Sequence, residues 1–320
     1  MLYADAKLVD PGTIPVIDIT PLRDGSDVKA VADALRTASQ GLGFIYIKGH
    51  GIPDDVINKA RKSAYEFFRS SVSVKEQVKV SPNHRGWIGT GGAKMDDDAK
   101  PDLKESFLWG FDNEDGQTTN GHQLRGENLW PDLLPDLKQN ALEYFDKVHD
   151  VARYLMRGFA IGLDLDENFF LKTSDKPLSR GSFVYYPNQT KELGKDQFGV
   201  SPHTDFGVLT VLCQDDVGGL QVETAFGHWI EAPPIEGSLI VNVADLLHRW
   251  TDGAFKSTPH RVVNSSGRER LSMVLAFDPN PETIIDARDI FGTSSEEPIT
   301  CGDYLNWRFN KAFSYRKEAS

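Results

Sequence analysis

The feature that most restricts the fold is a change of hydrophobic period at about residue 182. From there on, segments rich in Val, Ile, Leu and Tyr alternate with turns: SFVYYP, GVLTVLCQ, GGLQVE, HWIEAPP, SLIVNVAD, HRVVN and RLSMVLAF. Short strands at such spacing argue for a β-sandwich or barrel. The first half reads differently. Helical spacing of apolar residues covers about Asp27 to Leu42, Asp54 to Ser70 and Pro135 to Leu163. Two short strands stand among these helices, Ile14 to Ile19 and the Phe44 to Ile47 run inside GFIYIKGHGIP. Residues 81 to 130 read as irregular, and a long loop in a compact domain is usually functional. The stretch from Ile299 reads as a helix. No repeat or linker divides the chain. One domain over 1–320 is expected: a helical part with pocket loops to about 130, a β core over about 180–285, and a C-terminal helix.

Within this β region, HTDFGVLTVL (His203 to Leu212) places a histidine and an aspartate two residues apart. Residues i and i+2 of a strand share a face, so His203 and Asp205 can aim at one point. An imidazole nitrogen and a carboxylate oxygen suit a divalent first-row metal. His149, His228, His248 and His260 can each complete the set. His260 is preferred, because Pro259 favours an extended approach and Val262-Val263 suggests a strand. Two histidines and a carboxylate leave open positions on an octahedral metal, as non-heme Fe(II) chemistry requires. Zinc accepts a similar set, but no His-Glu-x-x-His helix suggests a zinc hydrolase.

Ten residues beyond His260, RERLSMVLAF carries Arg270 and Ser272 on one strand face, with Leu271, Met273, Leu275 and Phe277 alternating on the other. A guanidinium grips a carboxylate in bidentate fashion and a hydroxyl adds a further bond. The pair reads as a carboxylate clamp.

With these residues in place, the chain resembles the isopenicillin N synthase-like family of Fe(II)- and 2-oxoglutarate-dependent dioxygenases over nearly its whole length. IPVIDI and GFIYIKGHGIP are similar to that family's N-terminal signatures. YYP, HTDFGVLTVL, GGLQV, NVADLLHRWTDG, STPHRVV and RLSMVLAF are similar to its C-terminal core, in the same order. The resemblance implies a mainly β fold with flanking helices, built on a cupin-like double-stranded β-helix, or jelly-roll. It implies iron ligation by His203, Asp205 and His260, and a grip on the far carboxylate of 2-oxoglutarate by Arg270 and Ser272. Tyr186 would lie beside the cosubstrate, and Asn242 would support the site. Ala244-Asp245 stands where the family often has Gly-Asp. The implied reaction uses O2 and 2-oxoglutarate, releases succinate and CO2, and hydroxylates, desaturates or cyclises a small molecule. Two other readings fit these motifs: an iron oxidase that takes its electrons from the substrate alone, and an inactive jelly-roll binding protein.

Substrate contacts are expected from RGWIGTGG, KESFLWG and the strands beside the metal, with Arg85, Trp87, Phe107, Tyr185 and Phe277 as candidates. A cation at Arg85 would suit an acidic substrate, such as an amino or organic acid; a secondary metabolite is a further class. GTGGAK lacks the Gly-Lys-Ser/Thr of a phosphate loop, and KMDDDAKPD (Lys94 to Asp102) reads as a solvated loop. A net charge of −12 argues against nucleic acid as partner. No stretch approaches the ~18 to 20 apolar residues of a membrane span. The N-terminus lacks a signal-peptide pattern, and with only Cys213 and Cys301 present, a reduced cytoplasmic protein is expected.

Overall fold

The computed structural model describes residues 13–93, 100–112, 122–188 and 197–317. The first six residues of the acidic loop and most of the N-terminal segment lie outside them. In chain order the first part contains β1 (Val16–Asp18), α1 (Thr20–Asp24), α2 (Val28–Gly41), β2 (Phe44–Lys48), α3 (Asp54–Arg69) and α4 (Val72–Glu76). Then come β3 (Gly86–Ile88), β4 (Glu105–Trp109) and the long α5 (Pro135–Gly162). The β-rich part holds β5 (Arg180–Tyr186), β6 (Val200–His203), β7 (Leu209–Gln214), β8 (Leu220–Glu223), β9 (Trp229–Glu231) and β10 (Leu239–Val243). It continues through α6 (Asp245–Trp250), β11 (His260–Val262), β12 (Arg270–Phe277), β13 (Ile284–Ile285) and α7 (Arg288–Phe291). β14 (Ile299–Thr300), α8 (Cys301–Ala312) and α9 (Ser314–Lys317) close the described chain.

The helices form where the sequence supplies both caps and stripes. The Asp27 side chain accepts from the Ala30 amide and starts α2, which buries Val31, Ala32 and Leu35. In α3, Asp54 and Asp55 occupy the first turn and Arg69 the last, as the helix dipole favours. α5 runs 28 residues from a proline in its first turn. Its Gly158 and Gly162 lie against α2: a Cβ on Gly162 would stand 2.8 Å from the Ala32 carbonyl oxygen. Among the described residues no helix is long and apolar enough to cross a membrane.

An eight-stranded sheet has the order β1-β2-β10-β7-β12-β5-β4-β3, and a four-stranded sheet the order β6-β11-β8-β9. The N-terminal part thus adds four strands to the flanks of the larger sheet, of which β1 and β2 are the two short strands expected among the helices. β3 and β4 arise in the segment read as irregular; at three and five residues they are too short to show a period. Each strand of the large sheet has one face toward the α5 side and one toward the small sheet. On the α5 side Phe107, Phe183, Met273, Leu275 and Phe277 join the core formed with α3 and α5. On the other, Phe44, Tyr46, Tyr186 and Ile240 meet Val200, Leu220, Val222 and Val262 of the small sheet. This is the facing-sheet jelly-roll with flanking helices.

Candidate metal centre

β6 and β11 pair antiparallel, with His203 directly opposite His260. β6 ends at His203, so Asp205 stands just beyond the strand rather than on it. Its orientation comes from other contacts: Asn242 Nδ2 donates to Asp205 Oδ2 at 2.8 Å, and the Asp245 amide donates to the Asp205 carbonyl. The Nε2 atoms of His203 and His260 each lie 3.7 Å from Asp205 Oδ1. One donor atom from each of the three residues falls within 4.8 Å of the others. The other candidate histidines are elsewhere: His149 packs on Phe111 and Phe277, the His248 Nδ1 faces the Phe255 carbonyl, and His228 is exposed.

Each histidine's Nδ1 is engaged by a backbone carbonyl, of Ser201 at 2.8 Å for His203 and of Thr258 at 3.1 Å for His260. A carbonyl only accepts, so Nδ1 carries the proton and Nε2 turns its lone pair to the shared centre. Burial, and then the neighbouring His260, push the His203 imidazolium down to about 3. Burial raises the Asp205 carboxyl, but the two imidazoles and the Asn242 and Thr210 side chains outweigh it and leave it lowered. Neutral imidazole and ionised carboxylate are the forms that bind a metal.

Arg270 and Ser272 lie on the inner face of β12, and Arg270 is 0% exposed. Its Nε donates to the Gly218 carbonyl at 2.6 Å. Gly218 and Gly219 both have positive φ, a turn that glycine makes readily and that brings this carbonyl to the guanidinium. The Tyr186 ring centre lies 4.7 Å from the Arg270 Cζ. Arg270 Nη1, Nη2 and the Ser272 hydroxyl are buried with no hydrogen-bond partner among the described residues. A buried guanidinium with both terminal nitrogens unpaired is costly. A carboxylate satisfies both and the hydroxyl as well, so these residues fit the far end of 2-oxoglutarate while the triad fits a divalent iron.

A cavity of about 200 Å³ joins the triad to the space between the sheets. Its walls include His84, Lys104, Arg180, Phe206, Phe309 and Asn242. The residues expected to contact substrate lie outside this lining. Phe107 and Phe277 are in the α5-side core. Tyr185 stacks on Phe68 and donates to Glu269. Trp87 donates to Glu105, and Arg85 is buried against the carbonyls of His84 and Leu124. For four of the five an immediate neighbour faces inward: Leu108, Ala276, Tyr186, and His84 beside Arg85. The alternation that pairs Arg270 with Ser272 already assigns Ala276 to their face and Phe277 to the other; strand parity, not aromatic size, decides which side chain meets the cavity. Asp102, read as part of a solvated loop, is buried and accepts from the Ser201 amide. Ala244 has φ −108, so no glycine is needed there.

Residues 14–133 match the family described as non-haem dioxygenase in morphine synthesis N-terminal, and residues 179–279 match the 2OG-Fe(II) oxygenase superfamily. The 2-oxoglutarate-Fe(II) type oxidoreductase hxnY of Emericella nidulans is 30% identical, with 96% of this chain and 94% of that one covered. The homoarginine-6-hydroxylase 2-ODD-C23 of Glycine max is 33% identical, with 89% and 91% covered. Among solved structures, a full-length Neurospora crassa protein in complex with alpha-KG superposes with a TM-score of 0.83 at 30% identity, covering 95% of this chain and 98% of that one.

Proposed function

Because the chain belongs to the 2OG-Fe(II) oxygenase superfamily, and is an Fe(II)- and 2-oxoglutarate-dependent oxygenase, we propose that His203, Asp205 and His260 hold its iron and that Arg270 and Ser272 hold 2-oxoglutarate. Relatives named as 2-oxoglutarate-Fe(II) oxidoreductases, a neighbour crystallised with alpha-KG and the intact donor set favour this reading over the oxidase and the inactive binding protein. The observation that carries the residue assignment is the buried Arg270 fork, unpaired among the described residues and on the same cavity side of the sheet as the triad. Iron and 2-oxoglutarate, when bound, supply an oxidant from O2 as the cosubstrate is decarboxylated to succinate and CO2, and a substrate C–H bond is oxidised. The protein's own residues do the rest. Ser201 and Thr258 fix the imidazole tautomers, and Asn242 aims the carboxylate. Tyr186 packs beneath Arg270, and Val184, Leu212 and Val262 keep that part of the cavity apolar.

The substrate is a small molecule, drawn from amino acids, organic acids or secondary metabolites. Support comes from the cavity's size and from relatives, since the Neurospora crassa protein has also been crystallised with thymine and the soybean relative is a homoarginine hydroxylase. Residues 1–320 act as one domain, a reading supported by N-terminal strands on both flanks of the large sheet. A cytoplasmic location is supported by two buried free cysteines. The test is an anaerobic titration of apo-protein with Fe(II) and then 2-oxoglutarate, followed by visible absorption. A charge-transfer band needing both is expected, and Arg270→Ala should shift its appearance to much higher 2-oxoglutarate. A band at unchanged concentration in that variant would overturn the clamp.

A further inference from the structure

Strand register divides the cavity into two ends. Arg270 pairs across β12 and β5 with Tyr186, whereas Ala276 pairs with Arg180. On the same inner face, Asn242 pairs with Thr210, and Thr210 with Ala276. Asn242, Thr210, Ala276 and Arg180 therefore form one cross-strand row. Asn242 holds the carboxylate of Asp205, so the row that contains Arg180 includes a residue of the metal centre. Arg270 lies six residues along β12 from Ala276, toward the other end of the same inner face. Arg180 and Lys104 line the cavity beside the triad.

The surroundings of Arg180 carry more positive charge than the described residues neutralise. Arg180, Arg85 and Arg316 are 7%, 4% and 6% exposed. Arg180 Nη1 pairs with Asp278 at 2.9 Å. Arg85 reaches the carbonyls of His84 and Leu124, and its Nε has no hydrogen-bond partner among the described residues. Arg316 reaches the Pro82 carbonyl and the side chains of Gln123, Asn306 and Asn310, all neutral. Lys104 has Asp102 at 3.4 Å, although that carboxylate also accepts the Ser201 amide. Among the described residues these four cations thus have Asp278 and Asp102 as ion-pair partners, and the further carboxylate lining the cavity, Asp205, belongs to the metal centre. The His84 ring, stacked on Phe309, lies among the three guanidinium groups and is held neutral by burial and by them. Burial and then Arg180 push Arg85 down to about 9, as expected where like charges share a dry site. Buried charge without a counter-ion is strongly unfavourable, and a bound anion relieves it.

Resting on the oxygenase reading above, we infer that the substrate is a small organic anion whose carboxylate is received by Arg180 and Lys104, while its body packs among Phe206 and Phe309 beside the metal centre. Cationic substrates are disfavoured by the same field. This carboxylate is distinct from that of 2-oxoglutarate, which lies at the Arg270 end of the strand pair.

The probes are benzoate, its neutral isostere benzamide, and benzylamine. Each is titrated calorimetrically into anaerobic protein holding Fe(II) and 2-oxoglutarate, with the absorption band followed throughout. Absence of the band before any probe is added would count against the oxygenase site assignment itself, and so is separate from the present inference. With the band in place, benzoate should bind about tenfold or more tighter than benzamide, and benzylamine weakest. Arg180→Gln should erase that preference while the band persists. Should Arg180→Gln fail to fold, Lys104→Met should shrink the preference severalfold. Equal binding of benzoate and benzamide would overturn the inference. So would a preference unchanged in the variants, or a loss of the band on adding benzoate, which would mean that the anion competes at Arg270.

Discussion

The two faces of β12 are made from one continuous octapeptide, yet they answer to different physics. Leu271, Met273, Leu275 and Phe277 are packed against other apolar side chains. Arg270 and Ser272, equally buried, leave three polar atoms without a hydrogen-bond partner among the described residues, and Val274 and Ala276 face open space. One face is complete within the protein; the other is completed only by what binds. Substitutions on the first should therefore be read in stability, and substitutions on the second in binding and turnover.

The largest effect on the open side is expected at the triad. His203→Ala or Asp205→Ala should bring iron-dependent turnover to background and remove iron binding, with the melting temperature of the apo-protein changed little. Normal turnover in either variant would break the assignment. Arg270→Ala comes next, with a rise on the order of 100-fold in the 2-oxoglutarate requirement. Because it removes a buried charge whose fork is unpaired, the apo-protein should be no less stable. A sharp loss of apo stability would mean that the fork has a structural role and that the contrast between the faces is false. Asn242→Ala should weaken iron binding by about 10- to 100-fold, the usual cost of losing a residue that orients a ligand.

On the closed side the readout inverts. Phe277→Ala should cost about 3 to 5 kcal/mol of stability, measured by denaturant unfolding. The affinities for iron and 2-oxoglutarate in the surviving folded fraction should stay the same. A change in 2-oxoglutarate affinity without loss of stability would place Phe277 in the cavity after all.

How far the sequence discloses this contrast follows from what each signal depends on. The β-rich half, the three main helices, the His203-x-Asp205 pair and the Arg270-x-Ser272 pair are local patterns that can be read from spacing, while His260 is singled out among four histidines by its proline-then-strand context and by the resemblance. Arg180 and Lys104 have no such pattern. Arg180 matters because cross-strand register sets it level with Asn242. Lys104 precedes a strand that pairs far along the chain, with β5. Their charge is informative only once Arg85 and Arg316 are seen buried nearby with neutral partners, and burial of an arginine cannot be deduced from its neighbours in sequence. Trp87, Phe107 and Tyr185 draw attention through size, while their strands are too short, or too uniformly buried, for parity to be read without a partner strand.

The finest separation of the two faces lies between adjacent tyrosines. Tyr185 stacks on Phe68 with ring centres 5.0 Å apart, and its hydroxyl donates to Glu269 at 2.8 Å. Glu269 keeps Arg69 as a second partner. Tyr185→Phe retains the stack and loses one partly buried hydrogen bond, so about 0.5 to 1 kcal/mol of stability is expected to go, with both substrate constants unchanged. Tyr186, one residue on, lies under the Arg270 guanidinium inside the cavity. Tyr186→Leu removes the aromatic face from that cation and should raise the 2-oxoglutarate requirement severalfold, an interaction of this kind being worth ~0.5 to 2 kcal/mol. Steady-state kinetics on the two variants decide the matter together. A shift confined to Tyr186→Leu places the boundary between the faces within a single peptide unit. A comparable shift in Tyr185→Phe would mean that the outer face also communicates with the cosubstrate, and that strand parity alone does not separate packing from function.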